Sequence, residues 1–191
     1  MTHREIFEAH DNGFKGLTVE LCERYLKLHP NQGPVWWIYG SVLTDMADFK
    51  NALNALRKSW GCSPQKFRFN IAWSFGHLYR DLGKRRLAEK WYKCAIELCP
   101  NNSNLYIYLG YLYAQLGNYE KAEQSYRHAI RVASHPLDDA YLNLGYVLRA
   151  RRMYKEAADC FSKSLQIDAD DENARQALED VEAVIQRFDG L

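Results

Sequence analysis

Among the side chains able to attack a carbon, bind a metal ion or pass a proton near neutral pH are five cysteines and six histidines. Cys22, Cys62, Cys94, Cys99 and Cys160 contain no C-x-x-C pair, and their odd number argues against a closed disulfide framework. Cys94 and Cys99 stand five apart, which turns them to different faces of one helix. His3, His10, His29, His77, His128 and His135 are scattered, with no H-E-x-x-H and no cysteine–histidine arrangement among them. His128 falls away from the packing face of its helix and is expected at the surface. No glycine-rich phosphate loop occurs either. The local sequence therefore predicts no enzyme: no catalytic residue, no metal and no cofactor. The cysteines read as free thiols packed between helices in a reducing compartment.

What remains is the chemistry of recognition, carried by thirteen tyrosines and five tryptophans. The formal charge of +1, from 25 basic and 24 acidic residues, gives no support to a nucleic acid or an anionic membrane as partner. The chain has no apolar run of the ~18 residues that a membrane span needs. Its opening, MTHREIFEAHDNGFKG, lacks the apolar core of a secretory signal. A cytoplasmic chain is expected.

These side chains recur with a period. Glycines at 40, 76, 110 and 145 follow one another at intervals of 36, 34 and 35 residues. Each opens the same sequence of small, aromatic and aliphatic places, clearest in Ser103 to Pro136. There Tyr106, Leu109, Gly110 and Tyr113 fall on a first helix. After a turn at Gly117-Asn118, Tyr119, Ala122, Tyr126, Ala129 and Ile130 fall on a second. A period near 34 with two helices per unit is the signature of a solenoid in which each unit buries its faces against its neighbours. The units run 33–66, 69–102, 103–136 and 137–171. Residues 1–32 form a degenerate first unit that lacks the glycine; its second helix, Leu17 to Leu28, carries a stripe of Leu17, Leu21, Tyr25 and Leu28. A last amphipathic helix, 172–187, capped by Asp170 or Asp171, covers the end of the stack, and 188–191 is a tail. The whole of 1–187 reads as one domain.

The unit resembles the tetratricopeptide repeat (TPR), whose pattern places Trp, Leu, Gly and Tyr on helix A, then Ala, an aromatic and Ala on helix B, with a closing Pro. The chain departs from it at Ala72 and Arg85 and at Ala169, where the last proline is missing. The resemblance implies an all-α, right-handed α-α superhelix, a TPR solenoid with a C-terminal capping helix. It also implies a concave wall of A helices that binds a peptide or another protein.

A step of about 100° per residue then sorts each A helix into two faces. Places 4, 7, 8 and 11 form the packing face, and places 2, 5, 6, 9, 12 and 13 face the groove. The groove places supply the candidate partner-binding residues Trp37, Trp73, His77, Arg80, Ile107, Tyr108, Tyr111, Asn143, Tyr146 and Arg149. Aromatic surface of this kind marks an interaction site. Asn143 is placed to bond an extended backbone, and Arg80 and Arg149 to meet an acidic group. The Lys and Asn clamp by which chaperone-binding TPRs hold terminal carboxylates is missing: Trp37, Ser41, Ser74, Asn104 and Tyr108 stand at its places. Lys84-Arg85-Arg86 and Arg149 to Arg152 are expected as solvated turn charges. The function expected is an adaptor or scaffold that grips a protein or peptide segment, as a monomer or weak homo-oligomer. A dedicated chaperone for a hydrophobic client, such as a secretion-system substrate, and a self-assembling scaffold stand as alternatives.

Overall fold

The structure, a computed structural model, describes residues 3–189, and these form eleven α-helices. They pair as α1 (His3–Asp11) with α2 (Lys15–Leu28), α3 (Gly33–Asp45) with α4 (Phe49–Cys62), and α5 (Arg68–Asp81) with α6 (Arg85–Leu98). Next come α7 (Ser103–Gln115) with α8 (Tyr119–Val132) and α9 (Asp138–Ala150) with α10 (Tyr154–Ile167), followed by the unpaired α11 (Glu172–Asp189). The final helix thus runs two residues past its expected end; the rest of the expected tail, 190–191, lies outside the described residues. Helices α1 to α6 belong to one compact unit, Met1–Pro100, and α7 to α11 to a second, Asn101–Leu191.

The period is written most plainly in the turns. Gly13, Ala47, Gly83, Gly117 and Arg152 all take a left-handed conformation, with φ between 60° and 73°. Each is followed by a residue whose N–H reaches back to a carbonyl five positions earlier, as in Asp48 to Leu43 and Asn118 to Tyr113, both at 2.9 Å. This closes helix A and launches helix B. Gly13 keeps the same 34-residue spacing to Ala47, so the turn marks 3–28 as a true unit even where its side chains do not. Ala47 holds at two-carbon size a conformation that only glycine adopts freely. Ala47→Gly is accordingly expected to stabilise the chain by about 1 kcal/mol, with Gly83→Ala lowering stability by a similar amount, both read from urea midpoints.

Within each pair the repeated glycine lies beneath one large side chain sixteen residues later. A Cβ added to Gly40, Gly76, Gly110 or Gly145 would stand 2.8, 2.4, 2.9 and 2.5 Å from Leu56, Tyr92, Tyr126 and Phe161 respectively. All four partners are at most 1% exposed. The first pair solves the same problem with the sizes exchanged. Ile6 stands at the glycine place and Cys22 at the large place, both fully buried in one cluster with Leu26, Val35, Ile38 and Val42. This exchange shifts the expected stripe of α2, of which Leu21 and Tyr25 stay half-buried against the same cluster. The buried residues are Thr18, Cys22 and Leu26, one step round the helix, while Leu17 is 48% and Leu28 76% exposed.

A second repeated contact ties the ends of a pair. The Ser59 hydroxyl donates to the Gly33 carbonyl at 2.8 Å, and Ser164 to the Asp138 carbonyl at 3.1 Å. Ala95 and Ala129 hold that place in the two middle pairs. The short 3-10 turn Gln65–Phe67 absorbs the longest glycine interval. Asp171, not Asp170, caps α11, accepting from the Asn173 and Ala174 amides at 2.9 and 3.2 Å.

The two-face division of the A helices needs one correction. Places 3 and 10 are buried in all four clear units: Val35, Ile71, Leu105 and Ala140, then Val42, Leu78, Leu112 and Val147. In the Met1–Pro100 unit the sixth place joins them, because Ile38 is fully buried and Ser74 only 5% exposed. Three faces of each A helix are therefore in use. One takes its own helix B, a second takes the preceding pair where one lies in the same unit, and the third is left outward.

Candidate functional site

In the Met1–Pro100 unit the candidate residues are drawn into one another. The Trp37 indole N–H donates to the Ser74 hydroxyl at 2.8 Å, and the Ser41 and Ser74 hydroxyls stand 3.1 Å apart, which joins α3 to α5. The His10 ring of α1 lies 6.4 Å from the Trp37 ring. Trp73 meets His77 edge to face at 4.8 Å, and His77 meets Tyr92 the same way at 5.6 Å. Arg80 donates to the Asp81 carboxylate at 2.8 Å. Trp37, Trp73, His77 and Arg80 are all half-buried.

Burial first, and the Arg80 charge after it, hold the His77 imidazole down to about 4 against the opposing charge of Asp81. An unfolded histidine takes its proton near pH 6.5. Between those values the unfolded chain binds the extra proton, so stability falls as pH drops from about 6.5 toward 4 and is level above. His77→Gln is expected to flatten this part of the curve of thermal midpoint against pH.

In the Asn101–Leu191 unit, Ile107 and Tyr108 are half-buried on α7, and Tyr111 is 44% exposed. The Tyr111 hydroxyl accepts from the Gln115 amide at 2.9 Å, which holds the ring along the helix. On α9 the Asn143 side-chain amide donates to the Asp139 carbonyl at 2.7 Å, so its NH₂ is turned onto its own helix. Burial, followed by the charges of Asp138 and Asp171, raises the neighbouring Asp139 carboxyl above its usual range. Tyr146 packs edge to face on Phe161 at 5.3 Å, and its hydroxyl reaches the Asn173 carbonyl of α11 at 3.5 Å. The Arg149 guanidinium lies over the Tyr146 ring at 5.1 Å and stands 3.7 Å from Asp180, also on α11.

Arg80 and Arg149, expected to meet an acidic group of a ligand, each have a carboxylate partner within their own unit. The tryptophans are not freely displayed either; the indole of Trp37 is a strut between helices. Tyr111 alone among the ten candidates is a large exposed aromatic. Sequence reasoning passed over Ser41, Ser74 and Gln115, which hold these rings; a small hydroxyl at a groove place beside a tryptophan was the available signal. His128, expected at the surface, is half-buried and stacked on Tyr106 at 4.2 Å. All five cysteines are free thiols, and burial, with Glu23 adding to it, pushes Cys22 up to about 12. Among the described residues no three His, Cys, Asp or Glu side chains gather as a metal site, and no helix is long and apolar enough to cross a membrane.

Comparison with known proteins agrees with this layout. Two tetratricopeptide repeat family models match the chain, one over residues 67–135 and the other over 138–171. No curated protein matches it. Among solved structures, the C-terminal part of a TPR repeat-containing protein from Cytophaga hutchinsonii is 15% identical with a TM-score of 0.86, covering 98% of this chain and 72% of that one. YrrB, described as a TPR protein with an unusual peptide-binding site, is 17% identical with a TM-score of 0.71, covering 91% of this chain and 88% of its own. The first TPR of Spaghetti, solved bound to an HSP90 peptide, is 19% identical with a TM-score of 0.60, covering 63% of this chain and 95% of its own. At these identities the likeness is one of fold, all-α and of the TPR solenoid class. With both family models falling on the units that the glycines, turns and buried rings define, the chain belongs to the tetratricopeptide repeat family.

Proposed function

We propose that this protein is an interaction module that takes a peptide segment of a partner protein on the outward face of α7 and α9. The observation that carries the reading is Tyr111, a large aromatic left 44% exposed on a helix whose other rings are packed, and steadied by Gln115. Tyr108 and Tyr146 flank it in the sequence pattern, and the Asn143 side-chain carbonyl adds an acceptor for a backbone N–H. Tyrosine is suited to this work because it offers a wide apolar face, a polar tip and few torsions to freeze. With Arg149 engaged by Asp180, the segment suited to this face is uncharged at its anchor, with an aliphatic or proline-rich side chain against the ring. YrrB, of similar fold, is described as having a peptide-binding site, which supports the class of ligand but not its identity.

The test uses peptides selected from a random library on the wild-type chain and measured by calorimetry. Tyr111→Ala is expected to weaken such peptides about 30-fold, the scale of a binding hot spot, with thermal midpoint unchanged because the ring fills no core. Peptides that bind the variant as tightly as the wild type would remove this face from consideration. Trp73→Ala is the less clean probe, since its packing against His77 makes a loss of stability part of its effect.

A further inference from the structure

The near-zero net charge conceals an uneven distribution. From Lys50 to Lys93 stand eleven lysines and arginines against two acids, Asp81 and Glu89. From Asp168 to Glu182 stand seven acids against one base, Arg175. The first stretch lies in the Met1–Pro100 unit and the second in the Asn101–Leu191 unit.

The basic stretch becomes a surface through its helices. Trp60 of α4 and Trp91 of α6 meet edge to face at 5.3 Å, which joins the two helices at these rings. The cations they carry outward, Arg57, Lys58, Lys90 and Lys93, are all exposed. Lys58 is held over the Trp36 ring at 4.2 Å, and Lys93 is paired with Glu89. Arg57 and Lys90 enter no ion pair among the described residues. The rings between them are half-buried, Trp91 lying flat on Phe75 at 4.3 Å. The face thus presents cations without the exposed aromatic platform on which nucleic-acid bases stack. In the other basic cluster Arg151 is held by Glu120 and Glu123, and Arg149 by Asp180, which leaves Arg152 at the surface.

The acidic stretch also becomes a surface. Helix α11 packs through Ala174, Ala177 and Val181, the places that join an A helix to the preceding pair. Where the other A helices carry rings and glycine for their own helix B, α11 carries Arg175, Leu178, Glu179 and Glu182, and no helix B follows among the described residues. Glu179 and Glu182 are exposed, and Leu178 and Ile185 beside them are half-buried.

We propose that the chain associates with itself head to tail, the acidic outward face of α11 in one copy docking on the basic face of α4 and α6 in another. The two patches are complementary in sign and differ in position, so the contact is heterologous and each added copy leaves a new pair of faces open. Leu178 and Ile185 give the contact an apolar centre, while the charges set its speed and register and make it sensitive to salt. The proposal uses neither Tyr111 nor the face around it, and stands apart from the peptide-binding reading.

Sedimentation of the full chain over a concentration series tests it. In low salt the mass is expected to rise with concentration, and in high salt association is expected to weaken at least about tenfold. Arg57→Gln/Lys90→Gln and Glu179→Gln/Glu182→Gln, all at exposed positions, are each expected to lose self-association with unchanged circular dichroism. Mixed one to one, the two variants recover a complex of one copy of each, because each retains the face that the other lacks. A wild type that stays monomeric in low salt, or assemblies that persist unchanged in both variants, would overturn the proposal. So would a chain that remains monomeric yet is retained by a single-stranded oligonucleotide, which would assign the basic face to nucleic acid.

Discussion

Phe161→Ala is expected to destabilise the Asn101–Leu191 unit by about 3–5 kcal/mol, the largest effect of any single substitution considered. The ring is fully buried and fills the space above Gly145, where even one added carbon would stand 2.5 Å from it. Removing it takes the transfer energy of a whole aromatic side chain. It also leaves a hole that α9 and α10 cannot close, because the Ser164 bond to the Asp138 carbonyl holds their ends together. Tyr146, which packs edge to face on the same ring, loses its support as well. Thermal and urea unfolding followed at 222 nm would measure the loss, and a change of less than about 1 kcal/mol would contradict the packing described, since that is the range of an ordinary surface substitution.

Gly110→Leu approaches the same contact from the opposite side and is expected to lower stability by about 1–3 kcal/mol through overpacking. The sign is a contest between two effects. Leucine is a better helix former than glycine by roughly 0.5–1 kcal/mol. Against that, a Cβ at this place lies 2.9 to 3.0 Å from three atoms of the Tyr126 ring, which is itself 1% exposed and has nowhere to retreat. The steric term prevails wherever the neighbour is a buried ring. At Gly61 on α4, where nothing lies within 4 Å of an added Cβ, the same reasoning gives a gain. A matched pair, Gly110→Leu destabilising and Gly61→Ala neutral or stabilising, separates packing from helix propensity.

The Ile6–Cys22 pair shows why one unit was harder to read than the rest. A helix pair needs one small and one large side chain at its closest approach, and packing alone does not say which helix carries which. A glycine on helix A announces the contact; an isoleucine there, answered by a cysteine sixteen residues on, does not. The apolar stripe of Leu17, Leu21, Tyr25 and Leu28 was equally periodic; Leu21 and Tyr25 do pack against the cluster, but Cys22 is the residue fully buried with Ile6.

By itself the sequence determined the helices, their pairing, the turns and the family, because these depend on local periodicity and on side-chain size at a 34-residue repeat. The bonds from Ser59 and Ser164 that tie the ends of their pairs came only with the structure. The candidate site was legible only as a list of outward places. Whether an outward place is free depends on what neighbouring helices bring to it, and those neighbours are distant in the chain: Ser74 is thirty-seven residues from Trp37, and Asp180 is thirty-one from Arg149. Tertiary structure decided that Trp37 is a strut, that Arg80 and Arg149 each stand beside a carboxylate, and that Tyr111 is left exposed. The reason is physical: burial and charge pairing are properties of neighbours in space, which a repeat pattern locates but does not identify.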